Sequence, residues 1–108
     1  MNDRETVIVD GLRTPFGRMG GALAQLSAVK LATPLIKEIV ERNKIKPDSI
    51  DEVIVGQVVL AGCGQIPSRQ ALLAAGLPNT TESTTVNKVC ASGMRAVTLA
   101  DLRIRAND

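Results

Sequence analysis

Between Thr84 and Ala96 the chain reads Thr-Thr-Val-Asn-Lys-Val-Cys-Ala-Ser-Gly-Met-Arg-Ala, and this stretch constrains the rest more than any other. Thr84 to Asn87 is a short β-branched run that predicts a strand. From Ala91 the residues are small and apolar, and a helical pattern then runs to about Arg105. Cys90 stands at the joint. A sulfur placed there lies near the unpaired N–H groups of the helix start and the positive end of its dipole. That setting favours the thiolate, which is the nucleophile, and Lys88 adds positive charge nearby. Cys90 is therefore a candidate for covalent catalysis on an acyl group. The competing reading, a buried structural thiol, is the commoner fate of a lone cysteine.

Composition narrows the classes to which such a cysteine belongs. Apolar residues make up 44% of the 108, which is not the composition of a disordered chain. Phe16 is the only aromatic residue, so the core is expected to be aliphatic. Thirteen basic and 11 acidic residues leave a formal charge of +2. With no basic stripe and no aromatics to stack bases, a nucleic-acid partner is not expected. No apolar run approaches a membrane span, and Met1 to Glu5 is charged with no signal-like apolar region. These readings predict a soluble, cytoplasmic protein. Cys63 and Cys90 make neither a disulfide framework nor a metal-binding pair, so no metal is expected. The chain has no histidine. The base that usually activates a nucleophilic cysteine cannot come from these residues.

Along the chain, Thr6 to Asp10 is a continuous β-rich run and predicts a first strand covered on both faces. Gly11 to Gly21, with Pro15, Gly17 and Gly20 between them, predicts a loop. Ser27 is a good N-cap, and Ala28 to Val40 carries apolar residues at helical spacing. Pro34 either kinks one helix or follows a second cap at Thr33; the unbroken apolar spacing favours one helix. Pro47 to Ser49 reads as a turn. Val53 to Leu60 reads as a second buried strand with a break or bulge at Gly56. Ser68 to Ala75 predicts a short helix that Gly76 ends. This order gives an α/β fold with a largely parallel sheet. The last helix is apolar apart from the stripe Arg95, Thr98, Asp101 and Arg105, so burial on more than one side is expected. That burial, and a pattern that stops after a helix, suggest the front part of a larger protein. Lys88 reads as an exposed charge, Arg69 as structural or at a subunit interface, and Cys63 as a loop or packing thiol.

Val86-Asn87-Lys88-Val89-Cys90-Ala91-Ser92-Gly93 resembles the active-site signature of thiolases, the family of acetyl-CoA acetyltransferases and 3-ketoacyl-CoA thiolases. Arg13 to Gly17, Ile50 to Gly56, Gly64 to Gln70 and Ala75 to Pro78 resemble further segments of that family, in order, so the resemblance covers essentially residues 1–108. It implies an αβαβα layered fold, of which this chain is the first part of the N-terminal half: a partial thiolase N-terminal domain. It implies a central position for the last helix. It also implies that Cys90 takes an acyl group from acyl-CoA, either to condense two acetyl-CoA or to cleave a 3-ketoacyl-CoA with CoA, within lipid metabolism. CoA thioesters would be substrates rather than resident cofactors. The complete protein would be a homodimer or homotetramer, with subunit contacts expected near the strand before Cys90 and the Gly64 to Gln70 loop. The family's histidines, second catalytic cysteine and CoA-binding loop domain lie in later sequence, so residues 1–108 alone are expected to be inactive. A related condensing enzyme of the ketoacyl synthase type, or a non-catalytic truncated chain, is the alternative.

Overall fold

In the computed structural model, which describes residues 4–108, Ser27 caps a helix as expected. Its hydroxyl accepts the Lys30 N–H at 3.2 Å, and α1 runs Ala28–Arg42 with Pro34 inside it. The charged start, Met1 to Glu5, lies partly outside the described residues. The helix ends through Lys44, at φ 54, with Lys44 N–H bonded to Glu41 and Ile45 N–H to Val40. This is the Schellman arrangement, which turns an apolar residue back onto the helix. The second helix, α2 (Pro67–Ala74), ends the same way, with Gly76 at φ 88 and Leu77 N–H bonded to Leu72. The two endings deliver Ile45 and Leu77 to one core with Val40, Leu72, Ile36, Ile50 and Val53.

Two strands lie against that core. β1 (Glu52–Gly56) and β2 (Glu82–Val86) pair in parallel, from Glu52 beside Glu82 to Gly56 beside Val86, with α2 as the crossover. Strand alternation sends Val53 into the core shared with α1 and α2. Gly56 faces the other way, towards α3 (Ser92–Ala106). Arg103 of α3 reaches the two carboxylates that the parallel register sets side by side, Glu52 at 2.6 Å and Glu82 at 3.4 Å, while Thr84 also donates to Glu52. Helices therefore cover both faces of a parallel sheet, as the expected α/β class requires.

Two expectations need correction. Thr6 to Asp10 forms no strand, and Val7, Ile8 and Val9 are 73%, 86% and 69% exposed. A strand needs a partner to complete its backbone bonds, and this segment is instead clamped at Asp10. The Asp10 carboxylate accepts from Arg42 Nε and Asn43 Nδ2, each at 2.6 Å, from Arg42 Nη2, and from the Gly11 N–H. Val58 to Leu60 does not extend β1, because its partner ends at Val86. The Gln57 side chain then curls the segment by donating to the Val59 carbonyl. The apolar last helix, α3, leaves Met94 and Val97 74% and 63% exposed, as expected of a helix that these 108 residues cannot sheathe from all directions.

The approach of Gly56 to α3 is the tightest feature of the packing. A Cβ on Gly56 would lie 2.3 Å from the Ser92 carbonyl carbon and oxygen and 2.6 Å from the Gly93 nitrogen. Backbone cannot swing aside as a side chain can, so Gly56→Ala should cost at least the ~1–3 kcal/mol typical of overpacking. Gly11→Ala, where a Cβ meets nothing within 4 Å, should stay within about 0.5 kcal/mol of the parent. Urea unfolding of the two variants checks this, and equal midpoints would contradict the contact.

The Asp10 clamp gives a pH signature. Its hydrogen bonds from Arg42, then Asn43 and Gly11, hold its carboxyl well below the usual carboxylate range. A carboxylate with a depressed folded pKa stabilises the fold above its unfolded pKa of about 3.9, and loses that contribution as pH falls towards its folded value. Asp10→Asn should therefore lower the urea midpoint at pH 7, and its difference from the parent should shrink below about pH 4. Parallel midpoint curves from pH 7 to 2.5 would exclude the clamp.

Candidate active site

β2 stops at Val86, whose carbonyl still accepts the Gln57 N–H at 3.0 Å. By Ser92 the chain is already helical. The reversal between them is concentrated at Val89, which takes φ 48. That left-handed region is rare for a β-branched residue, so neighbouring groups must hold it there. Asn87 Oδ1 accepts the Val89 N–H at 2.9 Å, and Asn87 Nδ2 donates to the Val58 carbonyl at 3.2 Å. The Ser92 hydroxyl accepts the Lys88 N–H at 2.8 Å and donates to the Val89 carbonyl at 2.6 Å. Gly56 lets the start of α3 press against the end of β1. The elbow is thus braced from the strand side, from the helix side and from beneath.

Cys90 sits at the crest of this elbow, one residue beyond the left-handed position, and is exposed. The helix that follows is preceded by Ala91, with no side-chain cap, and has no acidic residue in its first turn. The Ala91 and Ser92 N–H groups bond back to the Lys88 and Val89 carbonyls, and no side-chain carboxylate offsets the positive end of the helix beside the cysteine. An exposed sulfur on a fixed backbone, next to an uncapped helix start, is an arrangement in which a thiol can attack an electrophilic carbonyl.

The other residues singled out from the sequence fall as follows. Lys88 is exposed. Arg69 is structural: its guanidinium donates to the carbonyls of Asn79 and Thr81 and ties the loop before β2 to α2. Cys63 is a half-buried loop thiol that accepts from Gln57 Nε2 at 3.4 Å. Its loop flanks the elbow, because Gln57 also holds Val59 and Asn87 holds Val58. A hollow of about 780 Å³ is lined by the starts of β1 and β2 and by Ala96, Val97, Ala100, Arg103, Ile104 and Asp108, and another of about 260 Å³ lies between α1, α2 and the end of β1. No residue from Asn87 to Gly93 lines either one. Among the described residues no His, Cys, Asp and Glu side chains cluster as metal ligands, and no helix is long and apolar enough to cross a membrane.

Sequence reasoning placed Cys90 at the strand-to-helix joint, where the structure has it, but did not find what holds it. The signals were present: an asparagine two residues before the reversal is placed for an Asx turn, and the Ala91-Ser92-Gly93 run of small residues is suited to close backbone approach. Neither identifies its partner without the fold.

Comparison with known proteins bears on the whole chain. Residues 6–108 match the model of the thiolase N-terminal domain. The acetyl-CoA acetyltransferase of Thiocystis violacea is 50% identical over 102 residues, which are 94% of this chain and 26% of that protein. The acetyl-CoA acetyltransferase of Schizosaccharomyces pombe is 52% identical over 99 residues, 92% of this chain and 25% of its own length. Among solved structures, the Acat5 thiolase from Ascaris suum in complex with coenzyme A superposes with a TM-score of 0.84 at 37% identity, covering 88% of this chain and 25% of that one. The Bacillus anthracis acetyl-CoA acetyltransferase gives a TM-score of 0.84 at 38% identity over 89% of this chain and 24% of its own. The chain thus spans about a quarter of the length of the curated relatives it matches. Fold, elbow and relatives agree, and the chain belongs to the thiolase family, whose N-terminal domain it matches over nearly all of its length.

Proposed function

We propose that Cys90 is the acyl-accepting nucleophile of a thiolase-type acyl-CoA acyltransferase, and that acetyl-CoA is its simplest acyl donor. The observation that carries this is the exposed sulfur of Cys90 on a braced turn at the uncapped start of α3, in a family member whose relatives are named acetyl-CoA acetyltransferases. The Ascaris suum relative solved with coenzyme A supports a CoA thioester as substrate.

In the forward half-reaction the Cys90 thiolate attacks the thioester carbonyl. A new C–S bond forms, and the carbonyl electron pair moves onto oxygen. When that pair returns, the bond to the CoA sulfur breaks and CoA leaves as its thiolate, giving an acetyl thioester on Cys90. The Cys90 N–H, beside the helix start, would stabilise the negative oxygen while it exists. A second acetyl-CoA, deprotonated at its methyl carbon, then takes the acetyl group; in reverse, Cys90 attacks the keto carbon of a 3-ketoacyl-CoA. The base and acid for these proton transfers are not histidines of this chain, which has none. They belong to residues beyond these 108 in a protein of the relatives' length. A cytoplasmic homodimer or homotetramer acting in lipid metabolism is the setting that fits this reading.

The test uses an enzyme in which these 108 residues replace the matching segment of the Bacillus anthracis acetyl-CoA acetyltransferase. Incubated with acetyl-CoA and quenched in acid, it should carry one acetyl group on the peptide containing Cys90. Cys90→Ala should abolish that adduct and lower turnover by at least about 10⁴-fold, as loss of a covalent nucleophile does, whereas Cys63→Ala should keep both. The 108-residue chain by itself should not cleave acetoacetyl-CoA. An adduct on Cys63, or turnover that survives Cys90→Ala, would overturn the assignment.

A further inference from the structure

We propose that Ser92 is a positioning residue that aims the Cys90 N–H at the carbonyl oxygen of the incoming acyl group. This rests on the reading of Cys90 as nucleophile and adds to it the group that orients the oxyanion donor.

The Ser92 side chain is almost fully enclosed, with the residue 3% exposed, and its hydroxyl spans the elbow. It donates to the Val89 carbonyl at 2.6 Å and accepts the Lys88 N–H at 2.8 Å. The Ser92 N–H donates to the same Val89 carbonyl at 3.1 Å, so that oxygen is held twice. The peptide linking Val89 to Cys90 is trans, as no cis peptide occurs among the described residues, and its planarity fixes its C=O and N–H in opposite directions. Securing the Val89 carbonyl against Ser92 therefore turns the Cys90 N–H the other way. In acyl transfer the negative oxygen develops on a carbon bonded to Cys90 Sγ, so a donor on the same residue is useful only if its direction is fixed beforehand.

Nothing in Val89 itself maintains that direction, since φ 48 is disfavoured for valine. Asn87 secures the N–H side of Val89 and Ser92 the carbonyl side. Only the carbonyl side belongs to the peptide that carries the Cys90 N–H, which singles out Ser92. Its hydroxyl transfers no proton to substrate. It acts through the peptide plane.

The distinguishing measurement compares two reactions of the same sulfur in the chimeric enzyme described above. Acetylation by acetyl-CoA develops an oxyanion; alkylation by iodoacetamide is a displacement at carbon and develops none at that position. Ser92→Ala should slow single-turnover acetylation of Cys90 by about 10- to 100-fold, the range below outright removal of an oxyanion donor. Alkylation should stay within about threefold of the parent, and the KM for acetyl-CoA within about twofold, because binding and thiol are left in place. Ser92→Thr and Ser92→Val have the same shape and differ in the hydroxyl, so they separate hydrogen bonding from folding. The threonine variant should acetylate at least about tenfold faster than the valine variant at equal alkylation rates. Acetylation and alkylation falling in proportion, or threonine and valine variants that behave alike, would overturn the proposal. Failure of the unsubstituted enzyme to form any acetyl thioester at Cys90 would instead refute the underlying nucleophile assignment, and this proposal with it.

Discussion

The contact between Gly56 and the Ser92–Gly93 backbone is the constraint on which the rest of the molecule depends. At that point the end of a strand touches the start of a helix with no side chain between them. The contact sets the height of α3 above the sheet, and the four residues from Asn87 to Cys90 must then fit the short path from β2 to that fixed point. Within that path Val89 takes φ 48, in the left-handed region that is rare for a β-branched residue. Such a residue costs of order 1–3 kcal/mol and persists only where its surroundings over-determine it.

Those surroundings are visible on both sides of the turn. Asn87 ties it to Val58, in the segment that leaves β1, and Ser92 ties it to the first turn of α3. At the far end of α3, Arg103 holds both strand starts through Glu52 and Glu82. The helix is therefore pinned at both ends, by backbone contact at one and by charge at the other. Exposed charge pairs add little stability, but Glu52 is only 11% exposed at its side chain and also accepts from Thr84, which makes this a small network rather than a lone surface pair. The chemical consequence is that Cys90 is held without being covered. Its backbone is braced by the Asn87 and Ser92 hydrogen bonds and its sulfur is open, which is what the proposed nucleophile would need to admit a thioester.

What was legible in the sequence was local. Ser27 as a cap, Gly76 as a stop, the Pro47–Ser49 turn and Cys90 at a strand-to-helix joint each depend on residues within a few positions, and each was found. What was not legible depended on partners far along the chain. Thr6 to Asp10 and Val58 to Leu60 have the composition of strands, but composition does not supply a neighbouring strand. The first is held by Arg42 and Asn43 instead, and the second outruns its partner at Val86. The start of α2 is similar. Ile66 precedes it at φ 42 without a side-chain cap, and the cap comes from β2, where Thr85 Oγ1 accepts the Ser68 N–H at 3.1 Å and donates to Ser68 Oγ at 2.8 Å. Gly56 was readable as a break in a strand, but its reason, a helix start pressed against it, lies in tertiary packing. The resemblance to thiolases came from the run around Cys90, where local chemistry and long-range geometry coincide.

The most direct test of this account is a crystal structure of the full-length chimeric enzyme trapped with an acetyl group on Cys90. The account predicts a thioester oxygen within hydrogen-bond distance of the Cys90 N–H, with Val89 still at positive φ and its carbonyl still on the Ser92 hydroxyl. A thioester oxygen turned away from that N–H, or a Val89 relaxed to negative φ with Cys90 sealed from solvent, would contradict it.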